Sequence, residues 1–353
     1  MAPRPSNGGD SEVFTGFKIA KAVVGAGSFA LPLACKNQGA AGGVITIAVA
    51  GVLASVTMKS LMKSKDEVER EIGTTGLSYV DVSRHVLGDW GANFVFGMTV
   101  ASSLGVCTAY LAFIGSTMSL LADLDGTWVH DIFPGVGPDA FQIAALAVVT
   151  PITWLKNFRF LSWTSTVGVI AVVAALGTTL TEEIRLTGGF QGLITAAQSL
   201  PLWPSSLEAY TSSFGAVIFL SCVNFLIFPI ERSMERKESF GPTLDVTLVG
   251  LSMMNAAFAL AGAATFGAET SDIVTNNLGS GNGLTAIKTL VCLDLLLTYP
   301  LVFAAGREIT EKLILGARDK RRGGGSAAEI DAAASTTKSS SSSATTTTTT
   351  TTT

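Results

Sequence analysis

Two ionisable residues lie inside long apolar stretches of the sequence, where a charge is costly and usually serves a function. Lys21 stands four residues before Gly25, and Asp294 stands four residues before Thr298. A spacing of four places Asp294 and Thr298 on the same face of a helix. Such groups can pair with each other, or take up and release a proton. For Lys21 a second interpretation stays open, in which its long side chain extends the ammonium to a polar surface.

A run of small residues ending in proline follows Lys21. Its residues are Gly25, Ala26, Gly27, Ser28, Phe29, Ala30, Leu31 and Pro32. Two glycines and a proline weaken the backbone hydrogen bonds of a helix. One interpretation is a kinked helix that packs closely at its small residues. The other is a discontinuous helix, whose unwound backbone and following helix N-terminus form an anion site suited to an amino-acid carboxylate.

A second interrupted stretch, residues 211–230, has polar Ser221 and Asn224 in its middle and Pro229 near its end. Both polar side chains are candidates for contacting a substrate, and the alternative is a hydrogen bond between helices. Glu231 follows among basic residues, where we expect a solvated charge at a helix end.

The elements that must position these residues are membrane helices. Of the 353 residues 48% are hydrophobic and 14% are charged, with a mean hydropathy of +0.48. Because a soluble domain carries about 25% charged residues, a soluble enzyme and a disordered protein are both disfavoured. A net charge of −4 provides no basic face for nucleic acid. The sequence therefore predicts an all-α polytopic membrane protein.

Eight stretches approach the roughly 20 apolar residues that a membrane-crossing helix needs. They are residues 17–35, 39–58, 91–122, 140–155, 161–180, 211–230, 243–266 and 284–305. The interrupted stretches are the first and the sixth. An interval of five helices between them is what an inverted five-helix repeat predicts.

Lys and Arg concentrate in alternate connecting segments, which the positive-inside rule assigns to the cytoplasm together with both termini. We expect a cytoplasmic N-terminal segment at residues 1–16 and a transmembrane domain at residues 17–315. Residues 316–353 are rich in Gly, Ala, Ser and Thr, and we expect a disordered tail because they cannot bury enough apolar surface.

Sequence signatures of catalysis and metal binding are missing. Four separated cysteines show no metal-binding or disulfide spacing. No phosphate-binding loop, HExxH motif or nucleophile elbow occurs. We expect no catalytic residue, no metal site and no cofactor, and thus a protein that is not an enzyme.

Four motifs, in this order, resemble those of the amino acid/auxin permease family (the amino acid transporter transmembrane domain). They are Lys21–Pro32, Phe228–Met234, Thr265–Leu278 and Leu297–Ile309. The resemblance covers about residues 12–315 and is greatest to the proton-coupled and vacuolar amino acid transporters. It implies a five-plus-five inverted-repeat fold with discontinuous helices 1 and 6. Members have eleven spans, so we expect that this sequence is truncated after the eighth, as in an incomplete gene model.

The resemblance also implies roles for residues. The backbone of Gly25, Ala26, Gly27, Ser28 and Phe29 would hold the substrate, and Ser221 and Asn224 would contact it. Cys222 stands where proton-coupled relatives often have glutamate. Lys21 stands where sodium-coupled relatives have asparagine, and Thr298 matches a sodium-site position. Because span eight lies beside span one in the family, we predict that Asp294 pairs with Lys21, and we assign Lys21, Asp294 and Thr298 to ion coupling.

Two functions fit these observations. The first is a secondary active transporter of small neutral amino acids, proton-coupled and sodium-independent, that works by alternating access. The alternative is a non-transporting membrane nutrient sensor or assembly subunit. The expected partners are an amino acid, protons and the lipid bilayer, with no nucleic acid. The membrane is vacuolar, another endomembrane or the plasma membrane, and the oligomeric state is open.

Overall fold

The computed structural model describes residues 10–311 except 155–157, 222–223, 280, 282, 301, 305 and 308–309, and gives only the backbone of residues 26, 158–167, 169, 221 and 225. Residues Met1–Ala305 form one compact unit and Gly306–Thr353 another. In the second unit Arg307 pairs with Glu311, with 3.4 Å between Nε and Oε1. The tail predicted at residues 316–353 lies outside the described residues.

The described part of the chain is helical and contains no β-strand, so the prediction of a helical protein is confirmed. Its α-helices are α1 (Glu12–Val23), α2 (Leu31–Gln38), α3 (Ala40–Ile72), α4 (Tyr79–Asp123), α5 (Trp128–Ile132), α6 (Pro138–Trp154), α7 (Phe158–Leu186), α8 (Phe190–Ser199), α9 (Leu207–Ser221), α10 (Ile227–Ser233), α11 (Phe240–Phe266) and α12 (Gly283–Ala304). Short 3-10 turns occur at Ala26–Ala30, Asn224–Leu226, Lys237–Ser239, Gly267–Glu269 and Val274–Asn277.

Four of the described helices, α3, α4, α11 and α12, are long and apolar enough to cross a membrane. The pair α1 and α2, bent by 50° at its break, makes a fifth candidate span. The stretches at residues 140–155, 161–180 and 211–230 coincide with α6, α7 and the α9–α10 pair. Eight spans therefore stay a prediction, as does the placement of both termini in the cytoplasm.

Helix α4 contains one break, at Gly88, whose φ of +71° only glycine adopts readily. The turns before Gly88 begin at a capping box in which the side chains of Ser78 and Asp81 each accept from the other's backbone N–H. The residues after it form the apolar rod predicted at 91–122. The long third stretch is thus one continuous helix, preceded by a separate segment before Gly88.

Helix α11 lies at the centre of the packing and contacts α1, α2, α3, α7 and α8. Its Leu244 and Ala259 are fully buried. Gly51 of α3 lets α11 approach closely, because a Cβ at that position would overlap the hydroxyl of Ser252. Small residues at such crossings are typical of membrane helices, which gain stability from close packing rather than from hydrophobic burial.

The N-terminal residues are bound to the loop that follows α10. Asp10 forms a backbone bridge with Met234, and the ammonium of Lys18 bonds the Asp10 carboxylate and, at 3.0 Å, Ser233 Oγ. Burial acts to raise the pKa of Asp10, but hydrogen bonds to Lys18 and Ser233 and the charge of Lys18 hold it below its usual value. This contact fixes the start of α1 against the end of α10.

Beside that contact lies a buried ion pair between α3 and α10. Lys65 Nζ is 2.8 Å from Glu231 Oε2, and the two side chains are 2% and 5% exposed. Lys65 also stands over the ring of Phe228, with its Nζ 5.4 Å from the centroid. The expectation that Glu231 is a solvated charge is wrong, because α10 turns its side chain inward against α3.

Removal of Lys65 should destabilise the protein by about 3–5 kcal/mol, because the buried Glu231 carboxylate is left with only the exposed Lys237, whose Nζ is 3.9 Å from its Oε1. We expect Lys65→Met to lower the thermal unfolding temperature of the detergent-solubilised protein. Lys65→Met/Glu231→Leu should recover most of the loss. Lys63→Met on the exposed face of the same helix is the matched control and should change little. A double variant no more stable than the single one would contradict this pairing.

Candidate functional site

The first span is broken where the glycines predict it. Helix α1 ends at Val23, Gly25 is extended with φ −150° and ψ −152°, and a 3-10 turn follows before α2 begins at Leu31. Pro32 lies in the first turn of α2, where the N–H that proline lacks would have no helical partner. The chain leaves the α-helix at this point, as the discontinuous-helix interpretation predicts.

The sixth stretch also leaves the regular α-helix. Helix α9 ends at Ser221, the 3-10 turn Asn224–Leu226 follows, and α10 starts at Ile227. The side chain of Ser221 and all of Cys222 lie outside the described residues. Asn224 is half-buried, and its buried Oδ1 has no hydrogen-bond partner among the described residues. An unmet buried acceptor costs about 1–3 kcal/mol, so this amide is suited to receive a donor from a ligand.

The two breaks lie next to each other. The 3-10 turn Ala26–Ala30 packs against α9, and a Cβ on Gly27 would lie 3.1 Å from Leu220 Cδ1 at the end of that helix. Glycine at this position therefore permits the close approach of the two interrupted segments. The structure thus brings the break of the first span against the end of α9.

Ser28 and Phe29, two of the predicted binding residues, are fully buried. Phe29 packs with its ring centroid 6.0 Å from Phe113 and 6.1 Å from Phe258, the latter edge to face. The Oγ of Ser28 has no hydrogen-bond partner in the described part of the chain. The side chain of Phe29 thus fixes the turn in the apolar core.

The ion pair predicted between spans one and eight is present. Lys21 Nζ lies 3.9 Å from Asp294 Oδ1, and Thr298 Oγ1 donates to the same oxygen at 3.3 Å. The side chains of Lys21 and Asp294 are 14% and 6% exposed. Gly25 and Tyr110 also border the narrow cavity of about 10 Å³ at this pair, which is close to the minimum that one water molecule needs.

A glycine of α7 that the sequence did not single out makes room for the pair. A Cβ on Gly168 would overlap Asp294 Oδ1, and would lie 2.6 Å from its Cγ and 3.1 Å from Lys21 Nζ. The sequence signal is a single glycine inside an apolar stretch, which does not reveal what faces it. Tyr110 of α4 was also missed, and its hydroxyl lies 4.0 Å from where a Cβ on Gly25 would be.

Metal ligands do not gather at this site. Within the described residues no three His, Cys, Asp or Glu side chains lie close enough together to hold a metal ion. Cys35, Cys107 and Cys292 are buried free thiols. The chemistry of the site therefore consists of backbone groups at two helix breaks, one unmet amide oxygen and one charge pair.

Comparison with known proteins places this geometry in a family. The profile of the family described as transmembrane amino acid transporter protein matches residues 9–351. The chain belongs to this family. The resemblance of the motifs to this family is thereby confirmed, and transport of amino acids across a membrane is the activity that the family's description states.

Individual members of the family are distant relatives. Amino acid transporter AVT3C of Arabidopsis thaliana is 27% identical over 303 residues, which are 82% of this chain and 68% of that protein. Amino acid transporter AVT3B of the same plant is 25% identical over 82% of this chain and 69% of its own length. Vacuolar amino acid transporter 3 of Schizosaccharomyces pombe is 21% identical over 86% of this chain and 43% of its own length.

The contact of Gly168 with the charge pair predicts a steric effect. Gly168→Ala should force α7 away from α1 and α12, at a cost of about 1–3 kcal/mol, which is typical of overpacking. We expect a lower thermal unfolding temperature in detergent. Gly177→Ala on the same helix, where a Cβ meets nothing within 4 Å, is the matched control. Equal unfolding temperatures for the two variants would contradict the contact.

Proposed function

We propose that this chain moves small neutral amino acids across a membrane by alternating access, coupled to protons and independent of sodium. We also propose that residues 17–315 form a partial five-plus-five inverted-repeat fold of eight spans, preceded by a cytoplasmic segment at residues 1–16 and followed by a disordered tail at residues 316–353. The observation that supports this most is the Lys21–Asp294 pair, one helical turn from a broken helix.

The break would bind the substrate through its backbone. Residues Gly25–Phe29 have left the regular helical ladder, and α2 starts directly after them. The positive end of a helix dipole favours a carboxylate. In the interrupted segment of the sixth stretch, Asn224 offers an unmet carbonyl oxygen, which is suited to the substrate ammonium. Together they would recognise the two groups that all amino acids share, with Ser221 as a further contact.

The charge pair would couple binding to protons. With Asp294 ionised, its carboxylate and Lys21 attract each other across α1 and α12, and Thr298 donates to the carboxylate. Protonation of Asp294 removes that attraction and loosens α1 from α12. Sodium is not needed in this scheme, since the ammonium of Lys21 supplies the positive charge beside the break.

We place both termini in the cytoplasm, on the basis of the Lys and Arg distribution. We assign the protein to a vacuolar or related endomembrane, because one relative is named a vacuolar transporter. No enzymatic activity is part of this proposal.

Reconstitution of the purified chain into proteoliposomes tests the proposal, with radiolabelled alanine as probe. We expect uptake when a pH gradient is imposed, abolition of that uptake by a protonophore, and no stimulation by a sodium gradient. Serine, glycine and proline in excess should compete, whereas lysine should not. Binding of alanine without uptake would instead favour a sensor, and uptake driven by sodium alone would overturn the coupling.

The pair makes a specific prediction about two variants. Asp294→Asn should abolish pH-driven alanine uptake, because Lys21 then loses the charge that compensates it. Lys21→Asn/Asp294→Asn should restore measurable exchange of alanine across the membrane, since neither charge is left. The control is Lys59→Asn, which removes a half-buried lysine that pairs with Asp245. A double variant no better than Asp294→Asn would contradict the pairing role.

A further inference from the structure

Glu183, near the end of α7, is buried, and no other described residue pairs with it. Its side chain is 0% exposed, and neither Oε1 nor Oε2 has a hydrogen-bond partner among the described residues. No pattern in the sequence singles it out, because it lies beside Glu182 and Arg185 past the end of the predicted span. Those neighbours pair with each other on the outside of the helix, at 3.6 Å.

The carboxyl group lies where three helices meet. A Cβ on Gly262 of α11 would lie 3.0 Å from Glu183 Oε1 and 2.8 Å from two carbons of Pro32. Pro32 belongs to the first turn of α2, directly after the break in the first span. The acid is therefore wedged between the helix that leaves the substrate break and the central helix α11.

No positive charge on the surrounding elements compensates it. Helix α8 and residues 246–266 of α11 contain no Lys, Arg, Asp or Glu. Lys36 of α2 donates to Ala268 O at 2.9 Å, and Lys288 of α12 donates to Leu278 O at 2.8 Å. The Lys21–Asp294 pair meets α7 at Gly168, fifteen residues earlier, which is about 22 Å along the helix.

An ionised carboxylate in such surroundings would be held with neither counter-charge nor hydrogen bond, which proteins avoid. In this conformation the group is accordingly a neutral carboxylic acid. It can ionise only if α2, α7 and α11 separate enough to let water reach it. Alternating access requires movement of this kind, because the break in the first span must become open to one side.

We propose that Glu183 is a second proton-binding residue, on the side of the substrate break that faces away from the chain's N-terminus. This inference rests on the proposed function and deepens it. With α2, α7 and α11 packed together, Glu183 carries a proton on one carboxyl oxygen. When these helices part, that proton passes to water and the carboxylate is solvated; closure requires that a proton bind again.

The test compares two transport assays in proteoliposomes, with Glu183→Gln as the permanent analogue of the neutral form. Exchange of internal and external alanine needs no net proton movement and should persist. With a gradient of one pH unit, each coupled proton supports about tenfold accumulation, so Glu183→Gln, which keeps Asp294, should accumulate alanine about tenfold less than the unmodified chain. The pH dependence of exchange should also flatten. Glu182→Gln, one residue away, is the matched control and should behave as the unmodified chain.

A second measurement decides the protonation state independently of transport. Infrared spectra of the detergent-solubilised protein near neutral pH should show a protonated carboxyl band that Glu183→Gln removes and Glu182→Gln leaves in place. If the unmodified chain neither exchanges nor accumulates alanine, the proposed function fails, and this band still decides whether Glu183 holds a proton. Accumulation by Glu183→Gln equal to that of the unmodified chain, or an unchanged band, would overturn the inference.

Discussion

The cost of placing a charge inside the membrane governs the arrangement of this protein. Lys21 and Asp294 reduce that cost by pairing with each other where α1, α7 and α12 meet. Thr298 adds a hydrogen bond to the carboxylate. Because the pair stands one turn from the break at Gly25, whatever alters it also alters the geometry of the break. The position of Gly168 follows from the same constraint, since no larger residue would leave space for the carboxylate.

Small residues let helices pack closely against each other at the places where their backbone hydrogen bonding is interrupted. Gly27 lets the first break lie against the end of α9, and Gly262 lets Pro32 and Glu183 pack on α11. At Gly51 the same principle brings α3 and α11 together. These contacts surround segments whose backbone is irregular, which membrane proteins tolerate only where such backbone is buried in protein or lines a cavity.

The two sides of the break are closed by different chemistry. Toward the N-terminus of the chain, charged groups meet each other: Lys65 with Glu231, and Lys18 with Asp10. Toward the other side Glu183 is enclosed by uncharged helix faces. Ion pairs exchange partners readily when water enters, whereas an isolated acid must first release its proton. This difference is a physical reason why the proposed opening would depend on pH on one side.

The sequence by itself determined the features that depend on local chemistry. Hydropathy was enough to predict helices, and the glycines and proline of residues 25–32 were enough to predict a discontinuous first span, because both follow from the backbone alone. The motifs in order were enough to identify the family. Even the pairing of Asp294 with Lys21 could be predicted, once the family placed their spans side by side.

Only the tertiary structure decided which side chains are enclosed. From the sequence, Glu231 and Glu183 both look like charges at helix ends. Glu231 is buried against Lys65, whereas Glu183 has no partner among the described residues. Gly168 reads as an ordinary small residue. Burial of these three depends on helices that are distant in sequence, and no local pattern records which face of a helix its neighbours will cover.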